Sequence, residues 1–199
     1  MELYTSSTSP YARLVRVMLA EKQLDDRVVY HFVDPWASPT ALLAINPACR
    51  VPVLVTAGGH ALTEAGVIVL FLERRYPEPR LIPRDAVESV HARLGQALGC
   101  LDAGVGVITE RRYGDPTTVL SQRRAEALAR AVEAVARMVE VEPAGDPDLG
   151  DLAAAVALDW VEFRFADQTP WQRRFPAVVE WLERLRTRRS FIETRPPAG

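Results

Sequence analysis

Apolar and polar positions follow two rhythms along the chain. Up to about residue 80, short β-rich runs alternate with stretches in which apolar residues recur every three or four positions; beyond it only the helical rhythm continues. Glu2–Tyr4 reads as a short strand. Pro10–Glu21 reads as a helix with Tyr11, Leu14, Val15 and Met18 on one face. Val28–Val33, β-branched and aromatic, reads as a second strand. Ser38-Pro39 places a cap before a proline at the first helical position, opening a short helix to Ile45. Val53–Thr56 and His60–Thr63 flank Ala57-Gly58-Gly59, a hairpin signal. Glu64–Tyr76 closes this half as a helix with Val67, Ile68, Phe71 and Leu72 inward. A βαβ unit, a helix and a ββα unit build a small mixed sheet with helices on its faces.

The second half predicts at least four helices. Val90, Leu94, Ala97, Leu98, Leu101, Val105 and Ile108 space the first. Leu128, Ala131, Val132, Val135 and Met138 space the next. Glu142–Gly150 reads as an acidic turn. Asp151–Phe165 is largely apolar, as expected of a central buried helix. Pro176–Arg189 is amphipathic, with Val179, Leu182 and Leu185 inward. Pro77, Pro79 and Pro83 make the boundary a stiff linker. The expected division is residues 1–78, a linker at 79–87, and an all-helical part at 88–199.

Composition narrows the function classes. The 199 residues are 48% hydrophobic and 25% charged, enough for a core, and carry a net charge of −2. Such a balance gives no positive field to hold nucleic acid or an anionic membrane. No apolar run approaches the ~20 residues of a bilayer span. The amino terminus lacks a secretory pattern, and two cysteines make no disulfide framework, so a cytoplasmic protein is expected. Lys22 is the single lysine among 24 basic residues. His31, His60 and His91 are scattered, without ligand spacing among themselves or with Cys49 and Cys100, so no metal is expected. The seven arginines and three glutamates of residues 173–195 read as a solvated helix face.

Three motifs can carry chemistry. Ser6-Ser7-Thr8-Ser9-Pro10-Tyr11 joins the first strand to the first helix. Ser9 sits at the cap, where backbone N–H groups and the helix dipole favour an anion. A thiolate placed there can accept the Ser9 hydroxyl proton, which lowers the thiol's pKa; the same serine can also serve as a cap alone. In Asn46-Pro47-Ala48-Cys49-Arg50-Val51-Pro52-Val53-Leu54, a cis Val51–Pro52 bond would turn the Val51 backbone outward to an extended peptide, whereas a trans bond would make Pro52 an ordinary edge proline. In Leu62-Thr63-Glu64-Ala65-Gly66, a helix N-terminus can bind a carboxylate and Glu64 an ammonium group.

Taken together, these segments resemble the cytosolic glutathione S-transferase family over almost the whole chain. Ser9 falls at the family's catalytic position. Ser9-Pro10-Tyr11 is similar to the Cys-Pro-Tyr/Phe start of glutaredoxins and omega-type transferases, with serine for cysteine. Asn46-Pro47 through Val51-Pro52-Val53-Leu54 matches the family's Asn-Pro…Val-Pro-Leu segment. Phe175-Pro176…Trp181…Arg189-Ser190-Phe191 resembles its ending. The resemblance implies an α/β thioredoxin-like amino-terminal domain (βαβ-α-ββα) and an all-α helical-bundle domain. It implies glutathione as co-substrate, attack of its thiolate on a small electrophile, and a homodimer. The implied site residues are Ser9 as the catalytic group and Ser9, Tyr11, Arg50, Val51, Pro52, Glu64 and Ala65 for binding.

The sequence also departs from the family pattern. Ala65 stands where a serine hydroxyl usually meets the γ-glutamyl carboxylate. Cys49 replaces a common glycine. Asp148-Leu149-Gly150-Asp151 replaces Ser/Thr-x-x-Asp before the core helix, with both residues still able to form a capping pair. The alternative is a non-catalytic protein of this fold, resembling the stringent-starvation regulators; a glutathione-dependent isomerase or dehalogenase would share the first domain.

Overall fold

The computed structural model describes residues 1–141, 146–166 and 170–197, the side chains of residues 140 and 141 excepted. Contacts divide the chain into two compact units, one of residues Met1–Leu81 joined by the segment from Thr187 onward, the other Ile82–Arg186.

The first unit runs β1 (Glu2–Thr5), α1 (Pro10–Glu21), β2 (Val29–Phe32), α2 (Thr40–Ile45), β3 (Val53–Val55), β4 (Ala61–Thr63) and α3 (Ala65–Arg75). The sheet order is β2-β1-β3-β4, with β1 parallel to β2 and antiparallel to β3, and β3 antiparallel to β4. Parallel β1 and β2 need a crossover, and α1 supplies it. Leu3, Val53 and Leu54 are buried from the sheet, as are Leu14, Val15, Val17, Met18 and Leu19 from α1. The β3–β4 turn closes with Thr56 N–H to His60 C=O at 2.9 Å, and Gly59 takes φ +79°, a conformation glycine adopts at least cost.

Two local expectations are corrected in this unit. Ser38 does not cap α2: it ends a 3-10 turn at Pro35–Ala37 in a left-handed conformation, and Pro39 holds the position before the helix. Val67 is 54% exposed, and Val69 with Ile68 and Leu72 fills the core instead, because α3 begins at Ala65 and presents that stripe inward. Tyr11 is half-buried.

The second unit holds α4 (Val87–Tyr113), α5 (Val119–Val141), α6 (Leu149–Phe165) and α7 (Pro176–Arg186). Helix α6 is buried on nearly all sides, from Leu152 through Leu158 and again at Trp160, Val161 and Phe165. A Cβ on Gly104 would collide with the Trp160 ring, so glycine lets α4 and α6 approach. The acidic capping pair forms: Asp148 Oδ1 accepts from Asp151 N–H at 3.0 Å, and Asp151 Oδ2 accepts from Asp148 N–H at 3.2 Å. Two carboxylates in one cap repel each other; buried Arg93 pairs with both and supplies the opposing charge. Residues 142–145 of the expected acidic turn lie outside the described residues. On α7, Val178 rather than Val179 is fully buried.

The carboxyl-terminal arginines are not a plain solvated face. Arg174 donates to Glu133 at 2.8 and 3.0 Å, and Arg186 to Asp159 and Glu162 at 2.6 Å each. The expected helix Pro176–Arg189 breaks after Arg186, and a further helix, α8 (Arg189–Thr194), packs on α1. Arg188 is extended between the two helices and grips Glu21 with two hydrogen bonds of 2.9 and 2.8 Å, to which the Ser190 hydroxyl adds a third at 2.5 Å. This ties the chain end to the first unit rather than to the helical one. No helix among the described residues is long and apolar enough to cross a membrane.

Candidate functional site

Strand register gathers the three motifs. Tyr4 pairs with Val53, and Val53 with Thr63. Pro52 before Val53, Glu64 after Thr63 and the loop following Thr5 therefore share one end of the sheet. Segments from opposite parts of the first half converge there because β1 and β4 end where β3 begins.

Ser9 occupies the N-cap of α1 with extended backbone, and Pro10 follows at the first helical position. Its Oγ accepts the Ala12 N–H at 3.3 Å, and its C=O accepts the Arg13 N–H at 3.0 Å. No acceptor for the hydroxyl's own proton occurs among the described residues. Capping and donation are therefore compatible: one lone pair serves the helix, and the proton is left for an anion at the positive end of the dipole.

The Asn46–Pro52 loop is held by one buried amide. Asn46 Nδ2 donates to Arg50 C=O at 2.9 Å, its Oδ1 accepts from Ala48 N–H at 3.2 Å, and its backbone C=O accepts from Cys49 N–H at 2.8 Å. Cys49 takes φ +52°, a left-handed conformation that favours glycine, and its thiol donates to Pro35 C=O at 3.4 Å. The Val51–Pro52 bond is cis. The Val51 side chain packs with Ala12, Leu42 and Val53, and its backbone N–H and C=O have no hydrogen-bond partner among the described residues. The Arg50 guanidinium is exposed and likewise unengaged there.

Glu64 adopts φ +66° and ψ +120° at the start of α3, with its carboxylate exposed. Among the described residues no side chain caps this helix, leaving its first N–H groups open beside Ala65, which is buried. The site thus offers a hydroxyl donor, a backbone donor–acceptor pair, a cation and a carboxylate at one end of a sheet. These are the groups that would grip a short extended peptide bearing a thiol.

Sequence patterns missed the triple role of Asn46 and the left-handed backbone of Cys49; the glycine expected at position 49 was the available signal. Cys100 is buried in the other unit, where desolvation pushes its thiol up to about 12 and keeps it protonated. Among the described residues no three His, Cys, Asp or Glu side chains converge as a metal site would require.

The sequence model of the family "Glutathione S-transferase, N-terminal domain" matches residues 8–75. The "Uncharacterized GST-like protein YibF" of Escherichia coli K12 is 30% identical, over 99% of each chain. A solved glutathione S-transferase of Methylobacterium radiotolerans, in complex with glutathione sulfonate, superposes with a TM-score of 0.89 at 30% identity, covering 100% of this chain and 95% of that one. A glutathione transferase family member of Pseudomonas fluorescens Pf-5 with bound glutathione gives 0.90 at 28% identity, over 99% of each chain. Over about half of their length, the chain is also similar to the maleylacetoacetate isomerase of Pseudomonas aeruginosa, 36% identical over 104 residues, and to the stringent starvation protein A homolog of Coxiella burnetii, 35% identical over 94 residues. With full-length likeness, a thioredoxin-like sheet unit and a helical region all in agreement, the chain belongs to the glutathione S-transferase family.

Proposed function

We propose that the protein is a glutathione transferase. The observation that carries this reading is the Ser9 hydroxyl, which accepts from Ala12 N–H and keeps its proton available at the N-terminus of α1. Glutathione bound to one relative of this fold, and glutathione sulfonate bound to another, support it. Residues 1–78 hold the tripeptide. Its thiol lies at Ser9 beside Tyr11, its cysteinyl backbone on Val51 ahead of Pro52, its glycyl carboxylate towards Arg50, its ammonium group on Glu64 and its γ-glutamyl carboxylate on the Ala65 N–H. The thiolate stabilised at Ser9 attacks the electrophilic carbon of a small apolar molecule; a sulfur–carbon bond forms and the leaving group departs with the electron pair. The chain contributes a lowered thiol pKa and the positioning of both reactants. Serine cannot form a mixed disulfide, so thiol–disulfide exchange is not the reaction. The working form is a cytoplasmic homodimer.

Titration calorimetry with glutathione, together with turnover of chlorodinitrobenzene, tests the proposal. Weak but measurable binding and conjugation are expected. No heat of binding and no retention on glutathione-agarose would favour the second reading, a protein-binding member of the family. Ala65 and Cys49 are the residues that favour it.

A further inference from the structure

Asn46 is 8% exposed, and every polar group it carries is engaged. Its N–H ends α2 by donating to Leu42 C=O at 2.8 Å, and its C=O accepts from Cys49 N–H at 2.8 Å. The side-chain amide is oriented by its partners. Oδ1 faces the Ala48 N–H at 3.2 Å, where only an acceptor fits, and Nδ2 faces the Arg50 C=O at 2.9 Å, where only a donor fits.

The Arg50 C=O belongs to the same peptide unit as the Val51 N–H. That unit is trans; the cis bond of this loop is the next one along. A trans unit is planar and holds its C=O and N–H in opposite directions. Tying the carbonyl to Asn46 therefore turns the Val51 N–H away from the inside of the loop. The accepted hydrogen bond also polarises the unit and makes its N–H a stronger donor. That N–H has no partner among the described residues. The Val51 side chain, packed with Ala12, Leu42 and Val53, resists rotation of the unit.

We propose that Asn46 is a positioning residue: it aims the Val51 N–H at the carbonyl oxygen of the cysteinyl residue of glutathione, and so favours a thiol peptide that has this carbonyl over one that lacks it. The inference rests on the transferase reading. Asn46 itself touches no ligand, because Ala48 and Arg50 occupy its amide. Ser9 and Glu64 are held by other segments, at the N-terminus of α1 and the start of α3. A change at Asn46 therefore acts on one part of the bound peptide and leaves its thiol and its γ-glutamyl end in place.

Two variants remove the donor and keep the turn. Asn46→Asp keeps the side-chain length and the acceptor for Ala48 N–H. Asn46→Ser keeps an acceptor for the same N–H in a serine turn but is too short to reach Arg50. Conjugation of chlorodinitrobenzene is measured with glutathione and with γ-glutamylcysteamine, which has the same thiol and γ-glutamyl group without the cysteinyl carbonyl and the glycine. Circular dichroism checks the fold of each variant. With glutathione, kcat/KM should fall about tenfold through KM, as for one lost hydrogen bond, while kcat and the pH profile stay as in the parent. With γ-glutamylcysteamine, parent and variants should agree. Should Asn46→Asp not fold, Asn46→Ser carries the test alone. An equal fall with both thiols would reduce Asn46 to a structural part and overturn the proposal, as would an unchanged KM for glutathione; either result leaves the transferase reading standing. A parent that neither binds glutathione nor conjugates it would overturn both.

Discussion

The Lys22 ammonium donates to the carbonyl oxygen of Pro79 at 2.7 Å, fixing the end of α1 to the segment that leaves the first unit. It also donates to Tyr76 C=O at 2.8 Å and pairs with Glu73, whose carboxylate accepts the Leu81 N–H at 3.1 and 3.3 Å. Its side chain is wholly buried. Three acceptors around one point match the three donors of an ammonium group and not the planar fork of a guanidinium. A chain that uses arginine everywhere else keeps its single lysine where only lysine fits.

Replacing Lys22 is therefore costly even with another cation. Lys22→Arg should lower stability by about 1–3 kcal/mol through overpacking. Lys22→Met should lower it by about 3–5 kcal/mol, because Glu73 is left without its countercharge. Urea unfolding of the three proteins measures both; an arginine variant as stable as the parent would contradict the matching.

Capping and chemistry at Ser9 can be separated. Ser9→Ala should cost about 1 kcal/mol of stability and Ser9→Gly only a few tenths. Both remove the hydroxyl donor, so both should lose most conjugation of chlorodinitrobenzene. Thermal melts and initial rates on the pair provide the check, and full turnover in the glycine variant would exclude the hydroxyl as the thiolate's partner.

Ala65→Ser should strengthen glutathione binding. One hydrogen bond to a charged group contributes about 1.5–3 kcal/mol, or roughly tenfold to over a hundredfold in affinity. Calorimetry on parent and variant reads this directly. Unchanged affinity would mean that the γ-glutamyl carboxylate does not lie at α3.

Cys49→Gly should stabilise the protein. Relief of the left-handed conformation at φ +52° is worth about 1–2 kcal/mol, against about 0.4–1 kcal/mol of added unfolded-chain entropy. The net gain should be about 0.5–1 kcal/mol, visible as a higher midpoint in denaturant.

The Glu21 clamp gives the α1–α8 contact an acid-sensitive component. Burial pushes the Glu21 carboxyl up, but hydrogen bonds from Arg188 and Ser190 and the Arg188 charge outweigh it, and the folded value lies below the ordinary 4.5. A depressed carboxyl contributes stability that is present above its unfolded value and lost as pH falls through the folded one. Glu21→Gln should accordingly melt below the parent at neutral pH, and the gap should narrow from about pH 4.5 downwards. A gap constant across that range would show that Glu21 gains nothing from its ionised form.

Much of the molecule was legible because its signals are local. Pro10 after Ser9 marks the start of α1, Ala57-Gly58-Gly59 marks the hairpin, and Asp148 with Asp151 marks the cap of α6; each needs only neighbours a few residues away. The apolar stripe of α3 lies one position beyond the one its periodicity predicts, since periodicity locates a face but not which of Val67 and Val69 meets the core. The three candidate motifs were identifiable as a set, whereas their convergence needed the register that pairs Tyr4 with Val53 and Val53 with Thr63.

By itself, then, the sequence determined the element order, the caps and the residue types available to hold a thiol-bearing peptide. Tertiary structure alone decided which charges meet. Arg93 finds Asp148 across 55 residues, Lys22 finds Glu73 on another helix, and Arg188 finds Glu21 across 167. The reason is physical: helix periods, caps and turns are set by neighbours in the chain, while a buried charge is tolerated only where folding brings its counterpart, and no local pattern encodes a partner that distant.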